Sequence, residues 1–378
     1  TVYMPGYKLT MLPDEVVQAY TLIAGRDCPA VSLYVTMDEA TFAIQSSETR
    51  LERVPIAANL RHDQLDSVIT EASLTGEAPA GYEFASELAL AFRLARHLKA
   101  QREVARGKPE NFNRPDYNFR LEGNGGGEPQ GHEQVLISTR QRGSPLDLIV
   151  AEAMILANST WGGWLHDNGV PGIYRSQASL APGMKVRMGT KPAPHAGMGV
   201  AQYTWATSPL RRYVDLVNQW QIIACARHGR TAALAAPFKP KDVQLFAIIS
   251  SFDAAYAEYN GFQSGIERYW TLQYLAQNEV HEFSALVMKD GLVRADDLPL
   301  VFRTPGTESL PRGERHGWSE RWASVLSAMS RYKSVPVSTT TSGRCGCACR
   351  HAAIDGAERR ACSAIIARWS PLSQRSVR

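Results

Sequence analysis

The sequence predicts an α+β fold, a mixed sheet packed by helices, on three observations. Residues 30–56 alternate apolar and polar side chains, rich in Val, Leu, Tyr and Thr, which is the period of half-buried strands. Residues 240–279 place apolar side chains at helical spacing over the longest periodic stretch of the chain. Asp290-Gly291 stands between two apolar runs, a signal for a tight hairpin turn.

The 378 residues suffice for one large domain or two, with ample core. A hydrophobic content of 44% and a charged content of 21% are ordinary for a globular protein. No apolar run approaches the length of about 18 residues that a membrane helix needs, so a membrane partner is not expected. The chain opens on Thr1 without a signal-peptide pattern, which reads as an internal start and hence a fragment. The net charge of +4 is uneven: residues 331–378 hold nine Lys/Arg against two Asp/Glu, and the rest 32 against 35. Any surface for a polyanion must therefore come from local patches. Cys28 and Cys225 read as small core residues. Cys345, Cys347, Cys349, His351 and Cys362 alternate too closely for paired zinc ligands, usually about two to four residues apart. No disulfide framework is indicated, so a reducing, cytoplasmic setting is expected.

Taken in order, residues 14–23 predict a short helix, and 30–37 and 40–45 a strand pair across Asp38-Glu39, with a further strand over 49–56. Helices are expected over 57–74 and 81–104, then a hairpin pairing 119–121 with 135–139 across a glycine-rich loop. That loop lacks the Lys-Ser/Thr and the following helix of a phosphate cradle. Ser144-Pro145 caps a helix to about His166, residues 172–175 form a short strand, and 198–204 alternate like another. Residues 285–294 form the hairpin at Asp290-Gly291, with 298–302 and 310–313 as further strands. Beyond about 314 no strand period survives, and 334–350 are expected to be disordered.

The organising stretch is Tyr203-Thr-Trp-Ala-Thr-Ser-Pro-Leu-Arg-Arg-Tyr-Val-Asp-Leu-Val-Asn218. Ser208 predicts an N-cap with Pro209 at the first helical position, and Leu210, Tyr213, Val217, Trp220 and Ala224 a buried stripe. Arg211 and Arg212 then fall in the first turn, where free backbone N–H groups already favour an anion and two guanidiniums add bidentate donors for phosphate. The alternative is an ion pair of either arginine with Asp215.

With Pro194-His-Ala-Gly-Met-Gly199 before it, this stretch resembles the signature of the ribonuclease II (RNB-domain) exoribonucleases. Thr1–Gly6, Met11–Pro13, Arg114–Tyr117, Val150–Asn158 and Gly172–Arg175 agree in order, and the resemblance covers about residues 1–310. It implies an RNB-type catalytic domain over 1–279 lacking its N-terminal aspartate-bearing part, the start of an OB-type β-barrel over 280–313, and an irregular basic tail over 314–378. It implies 3′→5′ hydrolysis of single-stranded RNA to nucleoside 5′-monophosphates by a monomer, with Mg²⁺ in the complete enzyme on ligands outside this chain. Arg211 and Arg212 would then brace the scissile phosphate. RNA contacts would come from Tyr3 (stacking on a base), Ser208, Tyr213, His195 and Glu152. Core packing remains the alternative for Tyr3, an ion pair with an arginine for Glu152, and a structural hydrogen bond for His195. Where relatives have stacking aromatics, this chain places Asn111, followed by Phe112, and His62. A non-catalytic RNA-binding protein on the same scaffold is the second functional expectation.

Overall fold

The computed structural model describes residues 1–319, apart from 111–115, 124, 126, 141, 142, 281 and 304–306. In chain order its elements are β1 (Val2–Met4), β2 (Tyr7–Leu9), α1 (Asp14–Tyr20), β3 (Asp27–Met37), β4 (Ile44–Pro55), α2 (His62–Leu65), α3 (Glu71–Thr75), α4 (Ala85–Arg106), β5 (Asp116–Glu122), β6 (Gln134–Arg140), α5 (Pro145–Asp167), β7 (Tyr174–Ser176), β8 (Arg187–Gly189), α6 (Tyr213–His228), α7 (Ala232–Ala235), α8 (Val243–Gln277), β9 (Glu282–Val287), β10 (Leu292–Ala295), β11 (Val301–Arg303) and β12 (Arg315–Ser319). Asn111, Phe112, the side chain of His62, and the cysteine cluster and disordered stretch expected in the tail lie outside the described residues.

Helices and antiparallel strands are mixed as expected; among the described residues the strands form four two-stranded pairs and one four-stranded sheet, ordered β11-β10-β9-β12. β3 and β4 pair along their whole length, with Val31 opposite Leu51. The two strands predicted over 40–56 are thus one. The loop before them is longer than predicted because the Asp38 carboxylate accepts from the Ala40 and Thr41 N–H groups and folds residues 38–41 into a side-chain-capped turn. The helix expected over 57–74 breaks into α2 and α3, because Thr70 and Ser73 form a reciprocal capping box that starts a new helix. Residues 198–204 contribute isolated bridges, Val200 to His195 and Thr204 to Tyr174, in place of a strand.

The main core joins β3, α5, α6 and α7 through Val31, Leu33, Trp161, Leu165, Ile222 and Ile223. α5 passes through Gly162 and Gly163 without interruption. The Gln202 side-chain amide lies over Gly163, 2.9 Å from where a Cβ would stand, so the segment leading to the arginines packs closely on this turn of α5. α6 is buried over most of its length, including Asp215, Asn218, Gln219 and Gln221; of the predicted apolar stripe Val217 and Ala224 are buried, Trp220 is half-buried, Tyr213 is exposed, and Leu210 precedes the helix. α8 is buried at both ends, by Leu245 and Ile249 and by Trp270, Leu272 and Leu275, while its middle is exposed. The aromatics there, expected in the core, are Phe252, Tyr256, Tyr259 and Phe262, of which Tyr256 and Phe262 are exposed.

The C-terminal sheet turns at Asp290 and Gly291, both at positive φ (61° and 69°), the geometry of a tight hairpin turn. Its core comprises Val287, Val293, Leu300 and Phe302 against Leu272 and Leu275 of α8. Residues 310–313 form a turn, and the strand pairing with β9 is β12, just beyond where the sequence pattern fades. No helix among the described residues is long and apolar enough to cross a membrane.

One buried ion pair ties three segments together. Arg102 of α4 donates to both oxygens of Glu152 on α5, to both oxygens of Glu110, and to the Met198 carbonyl oxygen. The chain turns back over it at Gly199 (φ +67°), where a Cβ would sit 2.2 Å from the Arg102 carbonyl oxygen. Gly199→Ala is therefore expected to destabilise the fold. The left-handed backbone alone costs roughly 1–3 kcal/mol for a non-glycine residue, and the overlap adds to it. Chemical denaturation measures this; an unchanged midpoint would show that the Arg102 backbone yields freely.

Candidate functional site

Residues 203–212 have little regular structure, and buried polar side chains hold them in place. Asn158 of α5 accepts from the Ala206 N–H, and its amide donates to Tyr203 Oη and Thr207 Oγ1. From α6, Asn218 donates to the Ile173 and Trp205 carbonyl oxygens and accepts from the Ile173 N–H, while Gln219 donates to the Ala206 carbonyl oxygen. Buried amide hydrogen bonds in this number fix a backbone path that apolar packing alone would leave loose.

Ser208 does not cap α6. The Ser208 carbonyl accepts from the N–H groups of Arg211 and Arg212, which closes a turn, and α6 begins five residues later at Tyr213. Arg212 occupies the N-cap position and Arg211 precedes it, so neither stands in the first helical turn. The reason is Asp215. Its carboxylate is fully buried, accepts from the Ser208 N–H at 2.8 Å, and receives Arg212 Nε and Nη2 at 2.7 Å each. By taking the Ser208 N–H and the Arg212 fork, Asp215 bends the residues before α6 into a separate turn.

Of the two predicted arginines, Arg212 thus has an ion-pair partner and Arg211 has none among the described residues. Arg211 is exposed, and its carbonyl oxygen accepts from the Thr1 amino group at 2.9 Å. The Arg212 guanidinium also lies 4.1 Å from the centroid of the Trp205 ring. A second cation shares that ring: Arg175, the middle residue of the short β7 strand, lies 3.6 Å from the same centroid. Its guanidinium forms no hydrogen bond or ion pair among the described residues, and burial pushes its proton affinity below the usual arginine value. Sequence reasoning missed Arg175 as a site residue, because only its neighbourhood in the fold sets it apart from any surface arginine.

From Trp205 an aromatic row runs along the exposed middle of α8. Trp205 meets Phe252 and Tyr256 edge-on, Phe252 and Tyr256 stack at 5.6 Å with 16° between planes, and Tyr259 follows at 6.0 Å. Tyr3 is exposed on β1, two residues from the Thr1–Arg211 contact, and its backbone hydrogen-bonds Tyr259. Tyr213 is exposed with its ring edge-on to Trp220. Arg211, Arg212, Ser208, Tyr213 and Tyr3 therefore share one region.

The other two predicted residues form a second, buried group. Glu152 is 2% exposed and enclosed by Arg102, so it presents no oxygen to a ligand at the surface. His195 is 4% exposed; its Nδ1 accepts from the Met198 N–H at 3.2 Å, and its ring meets Tyr203 edge-on. Burial, and then the charge of Arg175, hold His195 below the ordinary imidazole value. Cys28 and Cys225 are buried, and burial raises the Cys225 thiol to about 11.

Two outcomes follow. Asp215→Asn removes the charge that compensates Arg212 inside the fold and is expected to cost about 3–5 kcal/mol in chemical denaturation; a loss within error would mean that Arg212 turns out to water at no cost. Because the folded state depresses the His195 pKa, the unfolded chain binds the extra proton. Stability is then full above about pH 6.5 and declines as pH falls towards the lowered folded value. His195→Gln should flatten that part of the stability–pH curve, and an unaltered slope would assign it to another group.

A family model described as the RNB domain matches residues 1–184 and 179–228, which include β7 and the whole arginine segment. An uncharacterized ribonuclease of Synechocystis is 27% identical over 327 residues, covering 80% of this chain. The chain spans 44% of that relative's length. Among solved structures, Mycoplasma genitalium RNase R in complex with ribose-methylated single-stranded RNA superposes with a TM-score of 0.65 at 15% identity, over 84% of this chain and 60% of that one. Yeast Ssd1, described as a pseudonuclease, superposes with a TM-score of 0.52 at 15% identity, over 84% of this chain and 42% of that one. With more than half of its length matched, across the residues that place Arg175, Arg211 and Arg212 together, the chain belongs to the RNB-domain family.

Proposed function

We propose that the chain is the phosphate-holding part of a 3′→5′ exoribonuclease that hydrolyses single-stranded RNA to nucleoside 5′-monophosphates. The observation that carries this reading is the exposed Arg211, without an ion-pair partner among the described residues, beside an Arg212 that is fixed by Asp215 and lies on Trp205 at the head of an aromatic row. Single-stranded nucleic acid is bound by such a pairing of cations for the backbone and ring faces for the bases. Direction and product follow from the family resemblance. Arg212, held in one orientation by its ion pair, positions a guanidinium before substrate arrives, which is what electrostatic stabilisation of a reacting phosphate requires. Arg211 brings an unpaired fork at the surface.

A divalent metal, Mg²⁺ by the resemblance, supplies water activation and leaving-group stabilisation in such hydrolysis. The described residues do not fit one. Among them no group of three or more His, Cys, Asp or Glu could hold a metal ion, and Asp215 and Glu152 are each enclosed by an arginine. The second reading is a non-catalytic RNA-binding protein on an RNB scaffold, for which the yeast pseudonuclease of similar fold is a precedent.

A labelled single-stranded oligoribonucleotide should bind the purified chain without being trimmed in Mg²⁺ or Mn²⁺; EDTA-sensitive 3′ trimming would overturn this assignment of the carboxylates. Arg211→Ala should weaken binding by about tenfold, the scale of one charged hydrogen bond of about 1.5 kcal/mol, with no change in Tm, since Arg211 supports nothing else. Binding unaffected by that change would remove Arg211 from the site.

A further inference from the structure

We propose that Arg175 is a phosphodiester-binding residue of the same surface, taking the RNA backbone phosphate between Trp205 and the aromatic row of α8. This rests on the RNA-binding reading above.

The geometry separates Arg175 from an ordinary packing residue. Its backbone is fixed from two sides. The Arg175 N–H donates to the Tyr203 carbonyl oxygen, and the preceding Tyr174, 2% exposed, donates its hydroxyl to the Gly162 carbonyl oxygen. Its guanidinium carbon lies 3.6 Å from the Trp205 ring centroid, a contact with the ring's π-face that uses none of the N–H donors for a hydrogen bond. Among the described residues no oxygen takes that edge. The nearby acid, Asp253 of α8, influences Arg175 electrostatically and forms no ion pair with it. The neighbouring cation, Arg212, already has its carboxylate. A half-buried guanidinium beside a second one, with no acceptor of its own, is an arrangement that an arriving anion improves.

Phosphodiester is favoured over a carboxylate by what stands beside the charge. The ring that orients Arg175 also begins the row Trp205, Phe252, Tyr256 and Tyr259. One cation at the head of a line of ring faces suits a phosphate followed by bases, and an acidic peptide has no use for the rings. Arg175 and Arg211 then divide the binding between a partly buried and an exposed donor, with Arg212 locked between them.

The test is binding of a 5′-labelled oligouridylate to the wild-type chain and to Arg175→Gln and Arg175→Lys, followed by fluorescence anisotropy without divalent metal over a series of KCl concentrations, with thermal melts of each protein. Arg175→Gln is expected to bind roughly tenfold more weakly. Its plot of log affinity against log salt should be shallower by about 0.7, the contribution of one neutralised phosphate on a single strand. Arg175→Lys keeps the charge and loses the fork, so it should keep the slope and lose affinity. Wild-type affinity and slope in Arg175→Gln, with or without a lower Tm, would overturn the proposal and leave the RNA-binding reading standing. A wild-type chain that binds no RNA overturns both. If Arg175→Gln does not fold, wild-type affinity in Arg175→Lys would overturn the proposal in its place.

Discussion

The arrangement of cations depends on a carboxylate with no exposure to solvent. Asp215 is enclosed in a helix that is itself buried over most of its length, and such a charge is tolerable only with its oxygens occupied. The Ser208 N–H and the fork of Arg212 occupy them, and meeting that requirement shapes the segment from Ser208 to Arg212. The turn, the late start of the helix, the orientation of Arg212 and the exposure of Arg211 all follow from it. The pair is structural, and in the reading proposed above it also holds Arg212 oriented before a phosphate arrives.

The helices with strong local signals were legible in the sequence. Ser144-Pro145 opens α5 and Asp290-Gly291 turns a hairpin, because in each case the residues concerned determine the geometry within a few positions. The failures share a cause. Ser208-Pro209 carries the same local signal as Ser144-Pro145, yet a carboxylate seven residues on takes the Ser208 N–H and defers the helix. Thr70 starts a helix inside what periodicity joined into one. In both places a side chain captured a backbone group, and spacing of apolar residues does not register that event.

The site was legible in part. Arg211 and Arg212 stand out as adjacent arginines in a long motif, but their proximity to Tyr3 appears only in the fold, through the Thr1–Arg211 contact. Arg175 does not stand out, since its significance comes from sharing Trp205 with Arg212 across 37 positions of sequence. Glu152 sits where an acid was expected, but its partner Arg102 is fifty residues away and only the fold brings them together. Apolar and charged contacts at that separation are the content of tertiary structure, and a single sequence does not state them.

α8 is anchored at Leu245 and Ile249 in one core and at Trp270, Leu272 and Leu275 in two others, with open surface between. From Ile249 to Trp270 a straight helix spans about 30 Å, and each residue advances the rotation by about 100°. The helix therefore acts as a shaft of fixed length and fixed phase between the arginine face and the C-terminal sheet. Substitutions on its exposed middle leave that phase intact. Adding or deleting one residue there would turn the sheet through more than a quarter of a revolution about the shaft, even with every contact inside each core preserved.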